Sequence, residues 1–140
     1  MANLTYAKFQ SFIEAVYEKK HNLGADVLKI YLTNTAPNAA TNAVKADLAE
    51  IAGGNGYTAG GYTVTVTSSS QTGGNYALAV SGSVTITATG AVGPYRYVPL
   101  YNDTATNKEL IGYWDIGQTI TLASGDSHTF TYAANLITAS

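Results

Sequence analysis

The 140 residues include no cysteine, which excludes disulfides, thiolate metal sites and cysteine nucleophiles and leaves stability to burial, hydrogen bonding and assembly. Charge is also scarce: Asp, Glu, Lys and Arg make up 11% of the chain, against about 25% in an ordinary soluble domain. A net charge of −2 supplies no basic face to track phosphates and argues against DNA or RNA as the main partner. No stretch approaches about 18 uninterrupted apolar residues, and the opening Met1 to Lys8 has no basic segment leading into an apolar core. Neither a membrane-spanning segment nor a secretory signal is therefore expected. His21 and His128 show no HxH or HExxH spacing, so the chain predicts no metal centre and no cofactor.

What is abundant is glycine and tyrosine, 14 and 11 residues, set among Thr and Ser. The length predicts one domain over 1–140, burying about two-thirds of its unfolded surface. Phe9, Phe12, Ile13, Val16 and Tyr17 recur at spacings of three and four and predict one α-helix over residues 3–22. Asn3 or Thr5 would cap its start, Lys19, Lys20 and His21 would suit its negative end, and Gly24 would stop it. From 26 to 140 the body reads mainly β. Leu28, Ile30 and Leu32 alternate with Val27, Lys29, Tyr31 and Thr33. Val44 to Ile51 predicts a brief helix in a surface loop, with Leu48 inward and Lys45, Asp47 and Glu50 outward. Further strands are predicted around Tyr62 to Thr67, Tyr76 to Val80, Val84 to Thr87, Tyr95 to Tyr101, Leu110 to Ile116, Gln118 to Leu122 and His128 to Tyr132, with Ser68 to Asn75 as a projecting polar turn. The expected fold is an antiparallel β-sandwich or barrel of about seven or eight short strands with the N-terminal helix packed against it.

Catalysis needs convergent titratable groups, and these are few. Asp103, Asp115 and Asp126 lie in or beside turns, where aspartate commonly bonds its own backbone. Gly53, Gly54, Gly56, Gly60 and Gly61 form the most glycine-dense stretch, but it lacks the Lys-Ser/Thr ending of a phosphate loop and leads into a strand. It reads as a structural turn. No catalytic, cofactor-binding or metal-ligating residue is assigned. Tyr95, Tyr97, Tyr101, Tyr113 and Trp114 are candidate interface aromatics: each alone reads first as core packing, but together they suit a protein interface or the stacking of sugars.

Several segments, taken in order, resemble a known group. They are Asp26 to Pro37 with its Leu32-Thr33-Asn34-Thr35, then Asp47-Leu48-Ala49-Glu50-Ile51, then Gly56-Tyr57-Thr58-Ala59-Gly60-Gly61. In the second half come Tyr95 through Asn102 and Asp103 to Thr106, then Leu110 to Gly117, a Thr-Ile-Thr strand, and Gly125-Asp126-Ser127-His128-Thr129-Phe130. This order is similar to that of small virion proteins of tailed bacteriophages, over roughly Phe9 to Ile137. Ser68 to Asn75 and Ala88 to Gly93 depart from the pattern. The resemblance implies a non-enzymatic component of the phage particle, a capsid decoration or cement protein on the outer face of the head. Its implied partners are the major capsid protein and copies of itself, as a homo-oligomer with a trimer among the arrangements, without direct contact to nucleic acid or membrane. A place in the head–tail connector, tail or fibre base is the alternative within the virion, and a carbohydrate-binding module is the alternative outside this class.

Overall fold

Val, Ile, Leu and Tyr alternating with Thr and Ser make strands that bury one face, and the chain folds accordingly. The computed structural model describes residues 5–133 and 135–139, in which there are nine strands. They are β1 (Thr5–Lys8), β2 (Leu28–Ile30), β3 (Tyr62–Thr72), β4 (Asn75–Ser81), β5 (Ser83–Thr87), β6 (Val92–Asn102), β7 (Leu110–Leu122), β8 (Ser127–Thr131) and β9 (Asn135–Ala139). One helix, α1 (Ser11–Tyr17), and a 3-10 turn at Lys45–Asp47 complete the regular structure. All strand pairings are antiparallel. Seven strands form one sheet in the order β1-β7-β6-β2-β3-β4-β9, while β5 and β8 make a separate ribbon. The protein is thus mainly β, an antiparallel half-barrel with a single helix.

The main core joins Leu28 and Ile30 of β2, Leu78 and Val80 of β4 and Val98 and Leu100 of β6 to Ile86 and Phe130 of the ribbon and Phe12 of α1. A smaller cluster of Phe9, Tyr31, Leu48, Tyr101 and Leu110 is built from the opposite face of the same central strands. Alternation explains the division, since Ile30 and Tyr31, like Leu100 and Tyr101, point to opposite sides. Leu110 and Ile111 are adjacent yet both fully buried. Tyr101 pairs with Leu110 and Leu100 with Gly112, so Ile111 is the extra residue of a bulge that gives each cluster one side chain.

The helix expected over residues 3–22 is replaced by a strand and a seven-residue helix. Thr5 opens β1, which pairs with β7, and the Tyr6 ring lies 5.1 Å from Trp114; Asn3 lies outside the described residues. Phe9 enters the smaller cluster and Phe12 the main core, so their helical spacing is coincidental. The stop comes well before Gly24. Lys19 takes a left-handed φ of 64°, its N–H bonds Val16 O at 3.2 Å, and Lys20 N–H bonds Ala15 O at 2.9 Å. That is a Schellman closure with lysine in the position glycine usually fills.

Two further expectations change. Ser68 to Asn75 is not a projecting turn: β3 continues to Thr72, which pairs with Asn75 across a two-residue Gly73-Gly74 hairpin. Both glycines have positive φ, as a tight turn matched to strand twist requires. The strands expected at Leu110 to Ile116 and Gln118 to Leu122 are one strand, β7, bent at Gly117, where φ is 90° and the N–H bonds Asp115 Oδ1 at 2.8 Å.

Candidate functional site

Two features of the molecule lie outside ordinary core packing: a polar cluster around the glycine loop and an apolar groove beside α1. The first is assembled by the 3-10 turn. Asp47 Oδ2 accepts from the N–H groups of Ala43 at 2.8 Å and Val44 at 3.0 Å, and these bonds hold its carboxyl below the usual range. The turn buries Leu48 in the smaller cluster and aims Glu50 at the loop. Lys45 and Glu50, expected to face outward, instead meet at 2.7 Å in a half-buried pair. Glu50 Oε1 accepts from the Tyr57 hydroxyl and from Gly60 N–H, both at 2.7 Å. Burial works to raise the Glu50 pKa, but the bonds from Lys45, Tyr57 and Gly60 outweigh it and hold the carboxyl below its ordinary value.

Tyr57 passes the link on to the sheet, its oxygen accepting from Leu32 N–H at 3.1 Å. Its hydroxyl pKa is pushed strongly upward, first by burial and then by the neighbouring Glu50. Tyr101 donates to Gly60 O, and Thr33 Oγ1 donates to Ala49 O. Lys45 Nζ lies 4.7 Å from the centre of the Tyr31 ring, within cation–π range. The loop can approach the sheet this closely only with glycine. A Cβ on Gly61, where φ is 85°, would stand 1.7 Å from Ile30 O, and one on Gly56, where φ is 98°, would stand 2.1 Å from Thr87 O. Gly54 and Gly60 also have positive φ but face open space, whereas Gly53 does not lie in that region. The three segments Leu32 to Thr35, Asp47 to Ile51 and Gly56 to Gly61 therefore meet as one structural clamp.

The second feature is a hollow of about 440 Å³ between α1 and the ends of β3, β4 and β9. Phe12, Ile13, Val16 and Tyr17 line one side, Ser69, Tyr76, Ile137 and Ala139 the other, and His21 to Gly24 close an end. None of the lining residues is Asp, Glu, Lys or Arg. Ile13 is 46% exposed, Val16 38% and Tyr17 85%, an apolar ridge beside the buried Phe12. The groove was not legible from the helical stripe, which has these three side chains inward.

The candidate interface aromatics separate. Tyr95, Tyr101 and Trp114 are buried in the chain's own interior, the core-packing reading given to each alone: Tyr95 and Trp114 fill the main core and Tyr101 the smaller cluster, so they offer no surface to a partner. Tyr97 and Tyr113 keep part of their surface and meet edge to face, their centroids 6.4 Å apart. The acids are likewise engaged. Asp103 is paired with Lys29 at 3.3 Å and Lys108 at 3.0 Å, and Asp115 takes the Arg96 guanidinium in a two-point contact at 2.9 and 3.2 Å. Asp126 Oδ2 accepts from Ala123 N–H at 3.0 Å. His128 Nδ1 meets the Tyr95 hydroxyl at 2.7 Å, joining ribbon to sheet, and burial lowers its pKa. Among the described residues no three His, Cys, Asp or Glu side chains group to hold a metal ion. Comparison with known protein families, with curated proteins and with solved structures finds no match to this chain.

Proposed function

We propose that this chain is a non-enzymatic structural protein of a tailed-phage particle, a capsid decoration protein that binds the outer face of the head and stabilises the shell. The observation that carries the proposal is the uncharged groove with its exposed ridge of Ile13, Val16 and Tyr17. Apolar and aromatic side chains gathered without charge are the composition of the buried centre of a protein interface. On a symmetric shell such a patch recurs at every equivalent site, so a modest contact is held by many neighbours at once. The resemblance of Asp26 to Pro37, Asp47 to Ile51 and Gly56 to Gly61, in that order, to segments of phage virion proteins supports the same reading. The partners are then the major capsid protein and further copies of this chain.

The test is the copy number relative to the major capsid protein, by quantitative mass spectrometry of purified virions. A ratio between about one-third and one is expected, because each lattice unit offers an equivalent site. A ratio of a few per cent would overturn the decoration role and move the protein to the connector or tail, and absence from the particle would overturn the virion reading altogether.

A further inference from the structure

Asn102, at the end of β6, is fully buried, and its amide is oriented by its neighbours. Oδ1 accepts from Thr104 N–H at 3.0 Å and Ala105 N–H at 3.1 Å, so the other end of the amide donates. Nδ2 gives one hydrogen to Asp26 Oδ2 at 2.6 Å and turns the second to His21 Nδ1 at 3.0 Å. Asp26 Oδ2 also accepts from Asn22 N–H at 2.8 Å, and Asp26 N–H bonds Asn22 O at 2.8 Å. Residues 21–26 are thus a tight turn hung on one side chain of the sheet. The His21 ring closes the contact toward α1, its centre 5.2 Å from that of Phe12.

This arrangement suits only a neutral imidazole. Nδ1 faces a donor, so it accepts and carries no proton. Charging the ring would add a proton there, and its N–H would point at the N–H of an amide that cannot turn round. Turning would cost the bonds from Thr104 and Ala105 and aim Oδ1 at the Asp26 carboxylate. Nε2 gives no relief, since it is buried and has no hydrogen-bond partner among the described residues. Burial lowers the His21 pKa. Of the charges that act on the ring, Glu109, before β7, and Asp26, before β2, oppose that shift, and Lys20 of its own segment adds to it; from α1 the ring meets the uncharged Phe12. His128 is built differently. Its Nδ1 meets the Tyr95 hydroxyl, which donates to a neutral ring and accepts from a charged one, so that contact survives the added proton.

We propose that His21 is an acid-released latch: neutral, it ties residues 18–26 to Asn102, and charged, it frees that segment and the adjoining end of α1 from the sheet. Residues 21–24 close one end of the apolar groove, so release opens the groove there.

Amide hydrogen exchange on the purified protein, followed from about pH 7.5 to about pH 5 and corrected for the intrinsic rate, reads the opening at Lys20, Asn22 and Asp26, whose N–H groups are all bonded in the closed form. The open segment takes up one proton that the closed one excludes. Its opening constant should therefore rise about tenfold per pH unit below about pH 6.5, the ordinary imidazole value, while β3 and β4 keep their protection. In His21→Gln, whose side-chain oxygen accepts from Asn102 and does not titrate, the same amides should show no such slope. Imidazole ¹⁵N shifts of the wild type, which need no variant, should place the His21 proton on Nε2 at neutral pH. A flat exchange profile at these amides in the wild type, a slope in His21→Gln equal to that of the wild type, an acid loss of protection that runs through β3 and β4 as well, or a proton on Nδ1 would each overturn the latch. Opening is a property of the free protein, so the copy number in virions has no bearing on it.

Discussion

Replacing Glu50 by alanine removes the acceptor at the centre of the loop clamp. The Tyr57 hydroxyl and Gly60 N–H lose their 2.7 Å partner, and Tyr57 is buried to 3% exposure, so water does not replace the carboxylate there without rearrangement. Each buried donor left unmet costs about 1–3 kcal/mol. The Lys45 ammonium is partly exposed and regains water, so loss of its ion pair adds only about 0–1 kcal/mol. Gly60 is only half-buried, so its donor falls at the low end, about 1 kcal/mol, and the sum is about 2–5 kcal/mol, a large part of the roughly 5–15 kcal/mol that holds a domain folded. With a urea slope of about 2 kcal/mol/M, the unfolding midpoint of Glu50→Ala should fall by about 2 M with the slope unchanged. Glu50→Gln keeps an oxygen for Tyr57 and Gly60 and loses mainly the charge, so its loss should be about 1 kcal/mol. Acid completes the test. A carboxyl held below its unfolded value contributes fully above about pH 4.3, and that contribution is lost as pH falls through the lowered folded value. Wild-type stability should therefore decline on acidification more steeply than that of Glu50→Gln. A Glu50→Ala midpoint within about 0.3 M of wild type, or a Glu50→Gln loss equal to that of alanine, would refute the reasoning.

Gly61→Ala should cost more than about 3 kcal/mol, because its methyl would overlap Ile30 O, whereas Gly60→Ala, with positive φ but open space, should cost about 1–2 kcal/mol. Thermal melting compares them, and equal losses would show that the close approach of loop and sheet does not matter. His21 and His128 both have pKa values lowered by burial, so the unfolded chain binds more protons just below the ordinary imidazole value. Stability should be fully present above about pH 6.5 and fall as pH drops below it, and His128→Gln should remove part of that slope. Urea midpoints between pH 7.5 and 5.5 that do not change would contradict the buried neutral state of both rings.

The β character of the body was legible because Thr and Ser alternate with Val, Ile and Tyr in β3, β5 and the end of β7 and Ala with Tyr, Leu and Val in β4, and burial follows the alternation in β4 and β5. The N-terminal segment was misread for a definite reason: its apolar spacing fits a helix, but pairing of Thr5–Lys8 with β7 outweighs it and sends Phe9 and Phe12 to different clusters. Polar Ser68 to Thr72 hid a strand because its partner β4, and not its own pattern, holds it extended. Gly56 and Gly61 announced a constrained turn, but nothing local marked Glu50 as its anchor, since the contact spans ten residues to Gly60. Nothing local marked Asn102 either, whose amide meets His21 Nδ1 at 3.0 Å across 81 positions, a contact that exists only in three dimensions.

The pairing of β1 with β7 also sets an order of events at the ribosome. Thr5 is made 110 residues before its partner Asp115. Until then β1 has an unpaired edge and Tyr6 has no Trp114 to cover it, so the segment waits while β2, β3 and β4 can already find one another. Nascent chains stalled before β7 should therefore be open to proteases and chaperones at β1, and those stalled after it should close there in a single step.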